Sequence, residues 1–582
     1  MNRLVQLLFL LGFTWASEDF VTVNTKLGSL KGFRHKIDGN HQADVFLSVP
    51  YAEPPIGDLR FEKPQPPKGW KGVLNATHFG PSCYPHSAEN LLPPQSSNYS
   101  EDCLTLNIMR PSRINSQSNL PVLVWVHGGG YEAGNAVIYG YKDLANIYIP
   151  HDIIVVTIQY RLGFLGFLST GNASAPGNMG LFDQALAIKW LYENIESFGG
   201  DKSRIRVWGH SAGGASVSQL SISPYTNEYV NGSFEMSGTA LSNWALGKED
   251  DLVANSKLLG MGVGCSEDVK NCLKNKTIDQ MFKAVTRTVG YKGEDVVLLK
   301  FSPRIDGDFF PAHPDVLIKN AKRKPVSVIG VGEKEDSFFS SEFFFSISVL
   351  HGLAPYMHSI AIPKKEWPNF NRQKFIETIE KRVVLKPDFG NSSSFVRDQI
   401  VDFYGKGAKN DDDYLFYLNQ YNMLMSDLHF AVGATRTILK KVEEGWPVYA
   451  YSFEHYNKKV FETLPEQLRG STHANEYPYM FNIFIFGKYD IDSDPQEVAV
   501  KNLFRNSLIS FVKNGRPQPG ADIDWPSVAA TDSAKDIKFI RFLPQPSIGK
   551  GFHHESYDFW MNLKKKVPFD LVEFRKTSVR DE

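Results

Sequence analysis

Residues 204 to 213 set the hardest constraint on this chain: a β-type run, Arg204-Ile205-Arg206-Val207-Trp208, breaks into Gly209-His210-Ser211-Ala212-Gly213. A strand ending on G-x-S-x-G must pass through a tight, strained bend. Its glycines tolerate a backbone path that larger side chains reject, and the serine hydroxyl is left exposed at the apex. The following stretch, Gly214 to Leu220, is rich in small residues and can start a helix whose N-terminal amides point toward developing negative charge. Ser211 is therefore the candidate nucleophile of an acyl transfer.

Two further runs, Val122-Leu123-Val124-Trp125-Val126 and Ile153-Ile154-Val155-Val156-Thr157-Ile158, are apolar and β-branched, as expected of strands covered on both faces. From Leu181 to Glu196, the residues Leu181, Ala185, Ile188, Leu191, Tyr192 and Ile195 recur at helical spacing. Alternating strands and helices predict an α/β fold with a mostly parallel central sheet, helices on both faces, and catalytic groups at the carboxyl ends of the strands. Length alone suggests about four domains for 582 residues. No repeat, low-complexity block or linker interrupts residues 20 to 560, however, so one domain over residues 17 to 563 is the simpler reading.

Arg3, the mostly apolar run Leu4 to Trp15, and Thr14-Trp15-Ala16 ahead of Ser17-Glu18-Asp19 match the three regions of a signal peptide over residues 1 to 16. The run is shorter than the about 20 apolar residues of a membrane-spanning helix, and no second such run follows. Export without an integral membrane segment is the expectation, with lumenal retention left open; the terminal Arg580-Asp581-Glu582 lacks the closing Leu of a retention tail and does not count as one. Residues 564 to 582, from Lys564-Lys565-Lys566 onward, read as a charged C-terminal tail. A formal net charge of -1 gives no field for nucleic acid or an anionic membrane. Four cysteines in an exported chain are expected to pair, with three connectivities open, of which the local one closes two short loops. Six N-x-S/T sequons, at Asn75, Asn98, Asn172, Asn231, Asn275 and Asn391, are candidate glycan acceptors.

Serine attacks at neutral pH only when a base takes its proton, and the base needs an acid to fix its tautomer. Upstream of the elbow, His127-Gly128-Gly129-Gly130 follows the Val122 to Val126 strand. Glycines there let backbone N–H groups approach a tetrahedral oxyanion, so Gly129 and Gly130, with the amide of Ala212, are the candidate donors. Only the order serine, acid, histidine is expected downstream, and spacing does not choose among fifteen histidines.

Four ordered segments carry a resemblance: Ser48-Val49-Pro50-Tyr51-Ala52-Glu53-Pro54-Pro55, Ser100-Glu101-Asp102-Cys103-Leu104-Thr105-Leu106-Asn107, Gly177-Asn178-Met179-Gly180-Leu181-Phe182-Asp183-Gln184 and Gly209 to Gly214. Together they resemble the type B carboxylesterases, the family that also contains the cholinesterases, from about residue 20 to about residue 560. The resemblance implies an α/β-hydrolase domain and places the acid on Glu335, within Val328-Ile329-Gly330-Val331-Gly332-Glu333-Lys334-Glu335, with Glu333 and Asp336 as competitors. It places the base on His473, within Gly470-Ser471-Thr472-His473-Ala474-Asn475-Glu476-Tyr477-Pro478-Tyr479. Asp336 and Ala474 stand where the family usually has glycine. Asp336 would repel Glu335 if it faced the site and be harmless if it faced solvent. The resemblance also pairs Cys83 with Cys103 and Cys265 with Cys272, and gives Ser237 a supporting role beside the triad.

Within the family the chain resembles the general carboxylesterases. Cholinesterases stack a quaternary ammonium on a Trp shortly before the cysteine matching Cys103, whereas this chain has Leu91-Leu92-Pro93-Pro94 and no Trp between Trp70 and Trp125. It also has His210 where they carry Glu. Their acyl-pocket phenylalanines align with Val297 and Leu299, which leaves room for acyl groups longer than acetyl. Phe338-Phe339 and Phe343-Phe344-Phe345, just after the acid, are expected as core or as a wall of the gorge. The implied reaction is hydrolysis of a small-molecule ester through an acyl-enzyme, with no metal or organic cofactor. A catalytically silent binding protein and an interfacial lipase are the alternatives.

Overall fold

The computed structural model describes residues 19–88, 91, 98–114, 117–289, 299–340, 361–567, 569–573 and 575–576. The expected signal peptide, Leu92-Pro93-Pro94, Val297, Phe343-Phe344-Phe345 and the terminal Arg580-Asp581-Glu582 lie outside the described residues.

The β-branched runs sit at the middle of one large sheet. In chain order its principal strands are β1 (Phe20–Thr25), β2 (Gly28–Lys36), β3 (Gln42–Pro50), β4 (Thr105–Pro111), β5 (Leu120–Val126), β6 (Ile154–Ile158), β7 (Gly200–His210), β8 (Gly232–Met236), β9 (Val326–Gly332), β10 (Val448–Phe453), β11 (Lys538–Phe542) and β12 (Ser547–Lys550). Their spatial order is β1-β2-β3-β4-β6-β5-β7-β8-β9-β10-β11-β12, with the short strand Val73–Asn75 beside β2. Every pairing from β6 through β11 is parallel. The flanks, β1 to β4 and β12, are antiparallel. All five residues of β6 and six of seven in β5 are buried, which is why these runs lack polar alternation. The edge strand β1 buries only Val23.

Trp125 of β5 lies directly opposite Trp208 of β7. Their ring centroids are 4.6 Å apart, and Phe481 meets both rings at 4.8 and 5.1 Å. Aromatic packing of this kind contributes about 0.5–1.5 kcal/mol per pair beyond burial itself, and here it anchors the strand that delivers the elbow. The predicted helix is α1 (Met179–Asn194), and the chain leaves it through a turn ending at Gly199, φ 79°. The second predicted helix, α2 (Ala212–Ile222), is buried at every position. Small residues are required there: a Cβ on Gly214 would stand 2.5 Å from the carbonyl oxygen of Met236 in β8.

Cys83–Cys103 and Cys265–Cys272 are both bonded, with Cα separations of 5.1 and 5.7 Å, the pairing the resemblance implies. Beyond Lys564 the chain folds back: Phe569–Asp570 pairs with Arg575–Lys576, and Phe569, Leu571 and Val572 are buried. No helix among the described residues is long and apolar enough to cross a membrane.

Candidate active site

Each predicted catalytic segment follows the carboxyl end of a parallel strand. Ser211 comes straight after β7 and caps α2, with φ 59° and ψ -128°, a conformation costing an L-residue about 1–3 kcal/mol. Its N–H donates to the Met236 carbonyl at 2.8 Å, and its own carbonyl accepts from Ala215 at 2.9 Å. The glycines have a visible reason. A Cβ on Gly209 would meet the Gly213 carbonyl oxygen at 2.3 Å, and one on Gly213 would meet the Val126 carbonyl oxygen at 2.1 Å.

The loop after β5 presses on the same elbow. A Cβ on Gly128 would stand 2.5 Å from the His210 carbonyl oxygen and 3.1 Å from the Ser211 Cβ. Gly129 and Gly130 follow at φ 110° and 64°, beside the buried Ala212. His127 is held as structure: it stacks on Tyr160 at 4.5 Å, its Nδ1 lies 2.9 Å from the Gly128 carbonyl, and burial lowers its pKa to about 4. Glu132, buried, fastens this loop to the far wall by accepting from the Lys300 and Phe301 amides at 2.7 and 2.9 Å, next to the buried Leu299.

Glu335 follows β9, and its carboxylate is fully engaged. Oε1 accepts from Ser237 Oγ and from the Gly332 amide, each at 2.5 Å, and Oε2 lies 2.6 Å from His473 Nδ1. Glu335 and His473 are 1% and 4% exposed, so the hydrogen bond between them is shielded from water. Backbone bonds join the two segments as well. The Lys334 amide donates to the Ser471 carbonyl at 2.8 Å, and the His473 amide donates to the Glu335 carbonyl at 3.2 Å. The Thr472 hydroxyl reaches that same Glu335 carbonyl at 3.3 Å. Of the competing carboxylates, Glu333 is exposed.

Asp336 meets neither of its expected surroundings. It is buried, and its Oδ2 lies 2.5 Å from Nδ1 of the equally buried His429. His429 belongs to a π-helical segment (Asp427–Ala431) between α3 (Tyr414–Ser426) and α4 (Val432–Glu443). Such bulges displace side chains out of helical register, and here the next residue, Phe430, reaches the His473 ring at 4.9 Å. Phe339 and Phe338 close on the same imidazole at 5.0 and 6.3 Å, so both are buried and also line His473. Ala474 stands at φ 66°, where glycine is free of strain.

The structure brings His473 to the elbow ring against ring, with His210 and His473 centroids 4.3 Å apart. Sequence reasoning did not find the Asp336–His429 pair or the contacts of Phe430. It also missed Glu476, a buried carboxyl whose pKa is pushed well up by burial and then by the neighbouring Glu335.

A strained serine at the end of a parallel strand, facing a glycine loop and an acid-imidazole pair, on this sheet, defines an α/β hydrolase. Residues 19–560 match the carboxylesterase family, and the chain belongs to it. It is 40% identical to gut esterase 1 of Caenorhabditis briggsae, over 100% of this chain and 99% of that protein. It is 30% identical to cocaine esterase of Oryctolagus cuniculus (95% and 97% covered) and 31% identical to acylcarnitine hydrolase of Mus musculus (95% and 92% covered). The chain is a carboxylic ester hydrolase, of the carboxylesterase rather than the cholinesterase kind.

Proposed function

We propose that the chain hydrolyses small-molecule carboxylic esters through an acyl-enzyme on Ser211. Glu335 accepts a hydrogen bond from the His473 Nδ1–H, which leaves Nε2 free to take the serine proton as the hydroxyl attacks the ester carbonyl. The amides of Gly129, Gly130 and Ala212 hold the oxyanion, and His473 returns the proton to the departing alcohol. Water then enters by the same base and releases the acid. The single observation that carries this reading is the Glu335–His473 hydrogen bond of 2.6 Å beside a serine in a strained turn.

A fluorophosphonate probe tests it. Stoichiometric labelling mapped to Ser211 is expected, with labelling and turnover both lost in Ser211→Ala. A folded, ester-hydrolysing protein that is not labelled at Ser211 would sink the mechanism.

The acyl group is proposed to extend beyond acetyl. The supporting features are Leu299 in place of an aromatic wall and a relative named for acylcarnitines. A chain-length series of aryl esters checks this, and a sharp preference for acetate refutes it. We also propose export of the protein with a cleaved leader and glycans. Two disulfides support this. So do five exposed sequon asparagines, at Asn75, Asn98, Asn172, Asn275 and Asn391, with Asn231 half-buried.

A further inference from the structure

His210 takes no part in the proposed mechanism, yet among the described residues no other imidazole packs so close to His473. It is the last residue of β7 and is 2% exposed. Its Nδ1 lies 3.3 Å from the Tyr477 hydroxyl, which lies 3.3 Å from the Tyr139 hydroxyl. Its Nε2 is buried without a hydrogen-bond partner among the described residues. That ring nitrogen has nothing to stabilise a charge, and burial followed by the nearness of His473 holds the His210 pKa well below its ordinary value.

The charges around the two rings come from several elements. From the turn after β9, Glu335 faces His473 Nδ1. From the His473 segment itself, Glu476 has its pKa raised well above the carboxylate range and Tyr477 is likewise raised, both chiefly by burial. Tyr139 is raised to about 12 by burial. Phe338, Phe339 and Phe430 present only phenyl rings. Burial thus works against a charge on each of Glu476, Tyr477 and Tyr139 around the two rings.

We propose that His210 is a positioning residue for the base: it fills with an uncharged ring the face of His473 where a carboxylate would stabilise the protonated imidazole. His473 thereby stays free to accept the serine proton in more acid surroundings than an acidic neighbour would permit. The inference rests on the reading of Ser211, Glu335 and His473 as a triad.

The test is the pH dependence of kcat/KM for a non-ionising aryl ester between about pH 4 and pH 9 in wild type, H210Q, H210E and H210D. A carboxylate in van der Waals contact with an imidazole stabilises its cation, so H210E or H210D is expected to move the acid limb upward by about one unit or more. H210Q, neutral, should hold the wild-type midpoint within about 0.3 unit. The proposal is overturned if a folded acidic variant keeps the wild-type midpoint, or if H210Q moves as far as they do. In the wild-type enzyme, nitrogen-15 shifts of the His210 ring should report the neutral form from about pH 5 to pH 8. A ring that protonates in that window overturns the proposal whatever the variants do. Failure of the triad reading looks different: wild-type turnover without labelling of Ser211, or activity surviving replacement of His473.

Discussion

Replacing Glu335 by Gln changes one atom and, in this site, decides which nitrogen of His473 carries the proton. Oε1 accepts from Ser237 Oγ and from the Gly332 amide, and the amide cannot turn away. The side-chain carbonyl of Gln must therefore take the Oε1 place, because an NH2 there would face a fixed N–H. The NH2 then occupies the Oε2 place, 2.6 Å from Nδ1 in the wild type. Facing a donor, Nδ1 must accept, and the ring proton moves to Nε2, the atom that should receive the serine proton. A wrong tautomer in an otherwise intact triad lowers turnover by about 10⁴-fold, which is about 5.4 kcal/mol of transition-state stabilisation at about 1.36 kcal/mol per decade. The number of hydrogen bonds is unchanged, so Tm should move by no more than a few degrees, on the order of 1 kcal/mol. The assays are kcat/KM with an aryl ester at neutral pH and the rate of fluorophosphonate inactivation, which must fall together. A Glu335→Gln protein that melts with the wild type and stays within tenfold of its kcat/KM would refute the tautomer argument.

Gly209→Ala should open the elbow, since its Cβ would lie 2.3 Å from a carbonyl oxygen. A loss of about 1–3 kcal/mol in denaturant unfolding and a fall in labelling of Ser211 are expected, and wild-type labelling would contradict them. Ala474→Gly relieves a left-handed alanine at φ 66°. Stability should rise by up to about 1 kcal/mol with kcat unchanged, and a drop in either would show that the methyl group is needed. Asp427, whose pKa burial raises to about 7, is more easily protonated folded than unfolded. Its contribution is therefore complete below the unfolded carboxyl range near pH 4 and is lost as pH rises through about 7. Asp427→Asn, which keeps an acceptor for the Tyr404 hydroxyl, should gain on the wild type in Tm between pH 5 and pH 8, and a constant difference would refute the assignment.

The elbow, the oxyanion loop and the central strands were legible because their signals are local: glycines where carbonyls approach, and unbroken β-branched runs where both faces are covered. Helix α1 starts two residues before its predicted first apolar residue, at Met179, because Asn178 in the left-handed conformation turns the chain into it. The acid and the base lie 138 residues apart, and only the resemblance linked them. Asp336 shows why neighbours in sequence mislead. Its partner, His429, lies 93 residues away in a π-helical segment that no spacing rule announces, so the choice between site and solvent omitted the answer found. The contact between His210 and His473 escaped for the same reason, since it arises only once β7 and the loop beyond β10 end side by side.

The three hydrogen bonds that join the Lys334–Glu335 turn to Ser471–His473 have a consequence for how such enzymes diversify. They act as a clasp across a long excursion of chain, with acid and imidazole fastened at its throat. Changes in the parts of that arc that do not touch His473, unlike Phe338, Phe339 and Phe430, can reshape what approaches the serine while the clasp holds the acid and imidazole together. Fastened at its throat in this way, the arc can vary in its outer parts while the acid and the imidazole keep their spacing.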